Sequence, residues 1–304
     1  MDRLQALSVF VAVAEAESFA QGARASGLSA PSATRAINTL ETHLGARLFT
    51  RSTRRVRLTE AGRAYLGEVR EILAQLQAAD DAASGAANTP VGRLRITCPQ
   101  EFGRLHVTPL LTDFLDHYPQ VEAEAVMLDR IVNLVEEGFD IAVRIGHLPD
   151  SELTAVRIGQ VYRVICASPD YLARWGHPRT PDDLAQHRLV ALAGGAAARE
   201  WQLGTAATQR VSVNARLTVS SVAAAIDVAR QDWGLCRVLS YQVGPDLDSG
   251  QLVRLLQDHE PAPLPVHLVH VEGRRAAAKV RAFLDFAVPR LRALPVLRGD
   301  TERD

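Results

Sequence analysis

Between Arg47 and Arg63 the chain places six arginines, at positions 47, 51, 54, 55, 57 and 63, against a single acid, Glu60. Guanidinium groups present planar forks of N–H donors that match phosphate and carboxylate oxygens, so the chemistry they offer is anion binding. The whole chain has a formal charge of −1, whereas residues 20–66 hold eight arginines and two glutamates, a local excess of +6. A positive field so confined predicts one cationic module facing one negative partner. The preference for arginine over lysine adds little, because the chain has one lysine in all, Lys279.

Other residue types that carry chemistry do not fall into reactive patterns. No GxSxG elbow and no GxGxxG after a strand are present, and Ala278 before Lys279 excludes a GK[ST] phosphate loop. Cys98, Cys166 and Cys236 are scattered, with neither a metal-ligand spacing nor a disulfide framework, which fits a reducing compartment. The nine histidines contain no HExxH, and His267 and His270 point to opposite faces of a strand. The reading is no catalytic residue, no metal and no cofactor. Two alternatives stay open: an enzyme whose catalytic groups lie far apart in sequence, and an architectural DNA-binding protein that senses nothing. The second leaves the α/β region from residue 93 onward without a use. The apolar run VFVAVA at 9–14 ends at Glu15, too short for a signal or spanning segment, so a cytoplasmic protein without a membrane partner is expected.

The elements that must position the arginines are legible in the periodicity. Leu4, Leu7, Phe10, Val11 and Ala14 recur at helical spacing. Ser18 caps a second helix, FAQGARAS, ended by Gly27, and Ser29 caps a third with Pro31 in its first turn. Ala33, Ile37, Leu40 and Leu44 share one arc of that third helix, Pro31, Arg35, Asn38 and Thr42 take the opposite arc, and Ser32 and Thr34 flank it. Two helices joined by a glycine turn form either an ordinary helical hairpin or a helix-turn-helix. The adjoining residues favour the second. LFTR and RVRL alternate around STR, which predicts a β-hairpin wing with Arg54 and Arg55 at or near its tip. Guanidinium forks on a wing suit phosphates or a narrow minor groove, and a helix bearing Ser, Thr and Arg suits the major groove. The expected partner is double-stranded DNA, contacted by Ser29, Pro31, Ser32, Thr34, Arg35, Asn38, Arg51, Arg54 and Arg55.

Thr59 caps a long helix in which Tyr65, Val69, Ile72, Leu76, Ala79 and Ala83 form a heptad seam that Leu66 and Leu73 widen. The seam predicts a homodimer and a two-fold-related DNA site. The small, flexible stretch SGAANTPVG at 84–92 reads as a linker.

Residues 18–62 resemble the DNA-binding head of the LysR-type transcriptional regulators. The resemblance rests on Ser18-Phe19, Ser29, Arg35, Ile37, Leu40-Glu41, Leu44-Gly45, Leu48-Phe49, Arg51, Arg55, Leu58-Thr59 and Gly62, in order and without gaps. Gly22, Ser26 and Thr34 depart from the family's usual alanine, leucine and serine. The first two imply a less tightly packed second helix. LVEEGFDIAVRIGHLPDSELTAVRIG (134–159), VRLLQDHEPAPLPVHLVH and KVRAFLDF are similar to the family's effector domain, so the resemblance covers nearly the whole chain.

Independently of it, RLRITC, VEAEAVM, FDIAVRI, VYRVICA, RLVAL, VSVNARLTV and VHLVHV read as strands between helical runs LHVTPLLTDFLDHY, PDYLARW and SVAAAIDVARQ. This is an α/β layout with mainly parallel pairing, in which ligands bind beyond the strands' carboxyl ends. The expected class is α plus α/β. A winged helix-turn-helix is expected over 1–59, a dimerisation helix over 60–84 and a hinge over 85–92, and the resemblance makes 93–304 a periplasmic-binding-protein-like effector domain. The resemblance divides the last into subdomains 93–161 with 266–295, and 162–265, around a cleft. By the same analogy Gln100, Glu101, Phe102, Arg144, Gly146, Ser168, Trp201, Ser220 and Ser221 border that cleft. Serines at helix starts and Arg144 suit a carboxylate, and the effector is expected to be a carboxylate or an aromatic metabolite. Arg144 alternatively pairs with Glu137 or Asp140, and Trp201 alternatively fills the core. The resemblance further implies a homotetramer that bends DNA and meets RNA polymerase.

Overall fold

Capping serines and a left-handed glycine set the local structure of the amino-terminal head. The computed structural model describes residues 2–51, 56–83, 89–149, 151, 153–194, 200–204, 209–271 and 277–298. Helices α1 (Arg3–Ala16), α2 (Phe19–Ala25) and α3 (Ala30–Leu44) open the chain. Ser18 Oγ accepts from Gln21 N at 3.4 Å and Ser29 Oγ from Ser32 N at 3.3 Å, satisfying N–H groups that a helix start leaves unpaired. Gly27 turns the chain between α2 and α3 at φ +66°, a conformation that costs glycine little. Val9, Phe10 and Val13 of α1 meet Ala33 and Ile37 of α3 in a fully buried core.

The second helix is not loosely packed. A Cβ at Gly22 would lie 2.5 Å from Val13 Cα, so glycine is what lets α1 and α2 approach this closely. The expectation of looser packing at that position is corrected. The wing strands β1 (Phe49–Arg51) and β2 (Val56–Leu58) pair antiparallel, Phe49 opposite Leu58. Phe49 anchors them, edge-on to Phe10 at 5.5 Å and to Phe19 at 5.6 Å.

Thr59 Oγ1 accepts from Gly62 N at 2.9 Å and so caps α4 (Glu60–Ala83). The heptad seam then divides. Val69 is fully buried in the head's own core, Leu66 with it, and Tyr65 stacks at a tilt on Phe10, ring centroids 5.6 Å apart. Tyr65 and Val69 are therefore intramolecular, a correction to their expected place in a dimer seam. Ile72 (48% exposed) and Leu76 (38%) remain uncovered. The side chain of Ala79 lies outside the described residues. Arg70 ties the head to the rest of the chain, meeting Glu15 of α1 at 2.9 Å and the carbonyl of Glu136 at 3.2 Å.

Beyond residue 89 two five-stranded sheets follow. The first has β3 (Gly92–Cys98), β4 (Val121–Met127), β5 (Ile141–Ile145), β6 (Thr154–Val161) and β14 (Leu264–His270), in the order β4-β3-β5-β14-β6. The second has β7 (Arg163–Ala167), β8 (Leu189–Leu192), β11 (Leu217–Val219), β12 (Leu235–Leu239) and β13 (Val253–Leu255), in the order β11-β8-β12-β7-β13. In each sheet two neighbour pairs are parallel and two antiparallel, so the expected mainly parallel pairing is corrected to mixed. The reason is the path: β6 and β14 carry the chain out to the second sheet and back, and both crossings share one edge. The expected single strand VSVNARLTV breaks at Ser212, its first part pairing as β10 (Gln209–Ser212) with β9 (Glu200–Leu203) in a separate hairpin.

Helices α5 (Gln100–Phe102) and α6 (Thr108–His117), joined by a π-helical stretch Gly103–Val107, cover the first sheet with α11 (Ala278–Ala293), and α7 (Leu134–Glu137) leads into β5. Helices α8 (Pro169–Trp175) and α9 (Val222–Arg230) cover opposite faces of the second sheet. Helix α10 (Ser240–Asp248) belongs to both cores: Tyr241 packs into the first, edge-on to Phe102 at 5.3 Å, and Val243 into the second. Among the described residues no helix is long and apolar enough to cross a membrane.

Candidate DNA interface and effector cleft

Helix α3 shows two unlike faces. Ala33, Ala36, Ile37 and Leu40 are buried, while Ser29, Pro31, Arg35 and Asn38 are exposed and Ser32 and Thr34 partly so. The guanidinium of Arg35 has no ion-pair partner among the described residues, which leaves all its donors for a ligand. The hydroxyls are occupied differently. Ser29 Oγ and Ser32 Oγ lie 2.9 Å apart, and Thr34 Oγ1 donates its one proton to the carbonyl of Ala30 at 2.9 Å. Thr34 thus offers lone pairs to an incoming group, and donating to a phosphate requires that proton to turn away from the helix backbone.

A buried carboxylate joins this helix to the wing. Glu41, 5% exposed, accepts from Leu48 N at 2.8 Å and Phe49 N at 3.2 Å through Oε1, and Oε2 meets Arg47 at 2.9 Å. Burial alone raises its pKa, but the two N–H groups and Arg47 outweigh it and hold the carboxyl below its ordinary range. One side chain thereby sets the spacing of α3 and β1. Arg51 ends β1 in backbone, but its side chain, Arg54 and Arg55 lie outside the described residues.

Strand direction sets which edges of the two sheets face one another. The carboxyl ends of β3, β4 and β5 share an edge with the crossings at 161–163 and 255–264. In the second sheet the edge beside those crossings holds the start of β7 and the carboxyl ends of β8, β11 and β12, because Arg163 lies opposite Leu239. Ser240 Oγ accepts from Tyr162 N at 3.1 Å and closes that edge against the crossing.

This geometry sorts the nine expected cleft residues. Gln100, Glu101, Gly146, Ser220 and Ser221 stand at the facing edges. Ser168 does not: β7 runs antiparallel to β12, so the residue after its carboxyl end lies at the far edge, buried and capping α8 through Tyr171 N at 3.2 Å. Its assignment to the cleft is corrected. Trp201 is 4% exposed within the second core and Phe102 fully buried in the first, so both are packing residues here. Arg144 alternates onto the face behind the main core and donates to the carbonyl of Val132. Neither proposed internal partner holds it by a hydrogen bond. Glu137 is taken by Arg130 at 2.6 and 2.8 Å, and Asp140 by Lys279 at 2.9 Å and Arg95 N at 2.7 Å. Burial lowers the Arg144 pKa and Glu137 partly restores it.

The facing edge is less ready for an anion than its serines suggest. Asp129 already accepts from Gln100 N at 2.9 Å at the start of α5, and Glu101 is 7% exposed and paired with Arg104 at 2.7 Å. Gly146, at φ +123°, gives its N–H to Pro265 at 2.8 Å. Ser221 Oγ caps α9 through Ala224 N at 3.4 Å. Sequence reasoning did not single out Arg163, the exposed first residue of β7, or Arg237 within β12. The signal was present as a charge in each of two apolar runs, YRVICA and LCRVL.

Two sequence patterns cover the chain. Residues 4–63 match the bacterial regulatory helix-turn-helix proteins of the lysR family, and residues 87–292 match the LysR substrate binding domain. Similar proteins include HTH-type transcriptional regulators of Haemophilus influenzae, 32% identical over 92% of this chain and 98% of that one, and of Xanthomonas campestris, 34% identical over 93% and 84%. Among solved structures, CrgA, a LysR-type transcriptional regulator from Neisseria meningitidis, aligns at 28% identity with TM-score 0.62, covering 94% of this chain and 98% of that one. A full-length OxyR variant from Pseudomonas aeruginosa shares the fold at TM-score 0.76 and 18% identity over 100% and 99%.

Proposed function

This chain belongs to the LysR-type transcriptional regulators, and from that premise we propose that it is a homo-oligomer that binds a two-fold-related operator and is tuned by a small effector in its carboxy-terminal cleft. One observation carries the reading. A helix-turn-helix whose second helix buries its apolar arc and exposes Ser29, Pro31, Arg35 and Asn38 is joined to a separate two-sheet domain. Helix α3 enters the major groove, Arg35 reads base edges, and the wing arginines Arg51, Arg54 and Arg55 hold phosphates. The uncovered Ile72 and Leu76 are where a second copy packs, with Ala79 continuing the seam. The working division is 1–59 for reading DNA, 60–84 for pairing, 85–92 for the hinge and 93–304 for sensing. Four protomers acting on RNA polymerase in the cytoplasm complete the reading by family. An effector switches the protein because it binds one arrangement of the subdomains better than the other.

The test is fluorescence anisotropy with operator fragments recovered from genomic DNA, titrated against salt. Arg54→Ala should weaken binding to every sequence alike and reduce the salt slope by about one unit, whereas Arg35→Ala should also cost about 1–3 kcal/mol of discrimination between operator and unrelated duplex. Equal loss of discrimination in both variants contradicts this division of labour.

A further inference from the structure

Several arginines of this chain that are withdrawn from water sit against carboxylates. Arg70 meets Glu15 at 2.9 Å, Arg95 meets Glu124 at 2.8 Å, Arg230 meets Asp246 at 2.7 Å and Arg254 meets Glu260 at 2.6 Å. A cation removed from water needs such a partner, since an unpaired buried charge is strongly destabilising. Among the described residues Arg237, half-buried, has no such partner, and its neighbour across the sheet, the exposed Arg163, has none either.

Arg237 lies opposite Ile165 and Leu239 opposite Arg163 in the antiparallel pair β7–β12. Directly opposed residues and residues two apart share a face, so both guanidinium stems rise on the side that carries Ile165 and Trp201. Among the described residues neither arginine has a carboxylate partner. Arg237 gives one donor to the carbonyl of Gln202 at 2.6 Å, sits 5.8 Å from the Trp201 ring, and encloses its Nε with no acceptor. The charged neighbours are committed elsewhere: Glu200 pairs with Arg210, and Glu260 pairs with Arg254, which rises with Cys166 on the other face. Burial, and then the charge of Arg163, push Arg237 down to about 10. Arg163 meets solvent, yet is hemmed in closely enough that lost hydration lowers its pKa as well. Both remain cationic near neutrality, so two like charges that feel one another share this face, with no carboxylate among the described residues paired to either.

We propose that Arg163 and Arg237 form an anion site at the cleft-side edge of the second sheet, beneath the β9–β10 hairpin, that takes the carboxylate or phosphate group of a small organic effector. The site rests on reading the cleft as effector-binding and supplies its ligand class. The orphaned Nε of Arg237 and the donors of Arg163 are the groups that would hold the anion's oxygens. The Trp201 ring beneath Arg237 and Leu239 opposite Arg163 are apolar neighbours, so the anion is expected to carry a hydrocarbon part. The serines at the start of α9 play no necessary role.

The test is thermal unfolding of the full-length protein in sodium benzoate, sodium phosphate and neutral benzamide at tens of millimolar, against sodium chloride of matched ionic strength. Benzoate or phosphate should raise the melting temperature beyond chloride while benzamide does not, and the larger of the two shifts tells carboxylate from phosphate. Arg163→Gln and Arg237→Gln should each weaken the anion's apparent affinity about tenfold or more, as loss of a charged hydrogen bond requires. Without anion, Arg237→Gln should melt no lower than the parent, because it removes an uncompensated charge. A purely structural arginine would lose stability there instead. Anion shifts that persist in both variants, or the absence of any shift in the parent, overturn the site. Operator binding measured alongside separates the two readings. A shift abolished by the variants without any change in DNA affinity keeps the site and removes the effector role, whereas DNA affinity that answers only to neutral compounds does the reverse.

Discussion

Replacing Glu41 tests whether a single buried carboxylate sets the distance between the recognition helix and the wing. In Glu41→Ala the N–H groups of Leu48 and Phe49, on residues 1% and 4% exposed, lose their acceptor. Each buried donor left unpaired costs about 1–3 kcal/mol, and water reaching the site beside the exposed Arg47 recovers part of that, so a net cost of about 3 kcal/mol is expected. Glu41→Gln keeps an amide oxygen where Oε1 stands. It forfeits charge and the Arg47 pair, whose partner is 75% exposed and therefore contributes little, for a net cost of about 1 kcal/mol. The assay is native-state hydrogen exchange of full-length protein, read at the Leu48 and Phe49 amides, because one global unfolding energy is poorly defined for a multidomain chain. Protection should fall by about 100-fold in Glu41→Ala and about fivefold in Glu41→Gln, at about 1.4 kcal/mol per decade. The pH dependence has a definite sign. The folded pKa is held below the unfolded value of about 4.3, so this stabilisation is complete above that pH and fades as pH falls through the folded pKa. The parent should lose wing protection in acid, and Glu41→Gln should lose none on this account. Protection in Glu41→Ala within about threefold of the parent would refute the argument, because the two amides would then have found another acceptor.

Gly22→Ala should lower the melting temperature of the head and cost about 1–3 kcal/mol despite the better helix propensity of alanine, since the added methyl meets the Val13 backbone at 2.5 Å; circular dichroism melting checks it. The three cysteines should resist a thiol reagent at pH 8 until denaturant is added. All are buried, and burial, with the Asp129 charge adding, pushes Cys98 up to about 12, leaving about one thiolate in ten thousand. Prompt reaction of the native protein would show that the sheets open far more readily than their packing implies.

What the sequence alone determined is what neighbours along the chain decide. The caps at Ser18, Ser29 and Thr59, the turn at Gly27, the two faces of α3 and the two short strands of the wing all arise within a few residues, where spacing and side-chain chemistry are sufficient. The identity of the module was legible for the same reason: its apolar and cationic positions fall on a contiguous stretch. The tertiary structure decided everything that depends on segments far apart. It turned Tyr65 and Val69 inward, leaving Ile72 and Leu76 exposed, and it required glycine at position 22 because another helix lies against it. It also ran β7 against β12, which carries Ser168 to the far edge and brings Arg163 beside Arg237. A strand carries no local mark of the direction in which its neighbours run. Long-range pairing alone sets that direction, and with it which chain ends, charges and hydroxyls meet at the cleft.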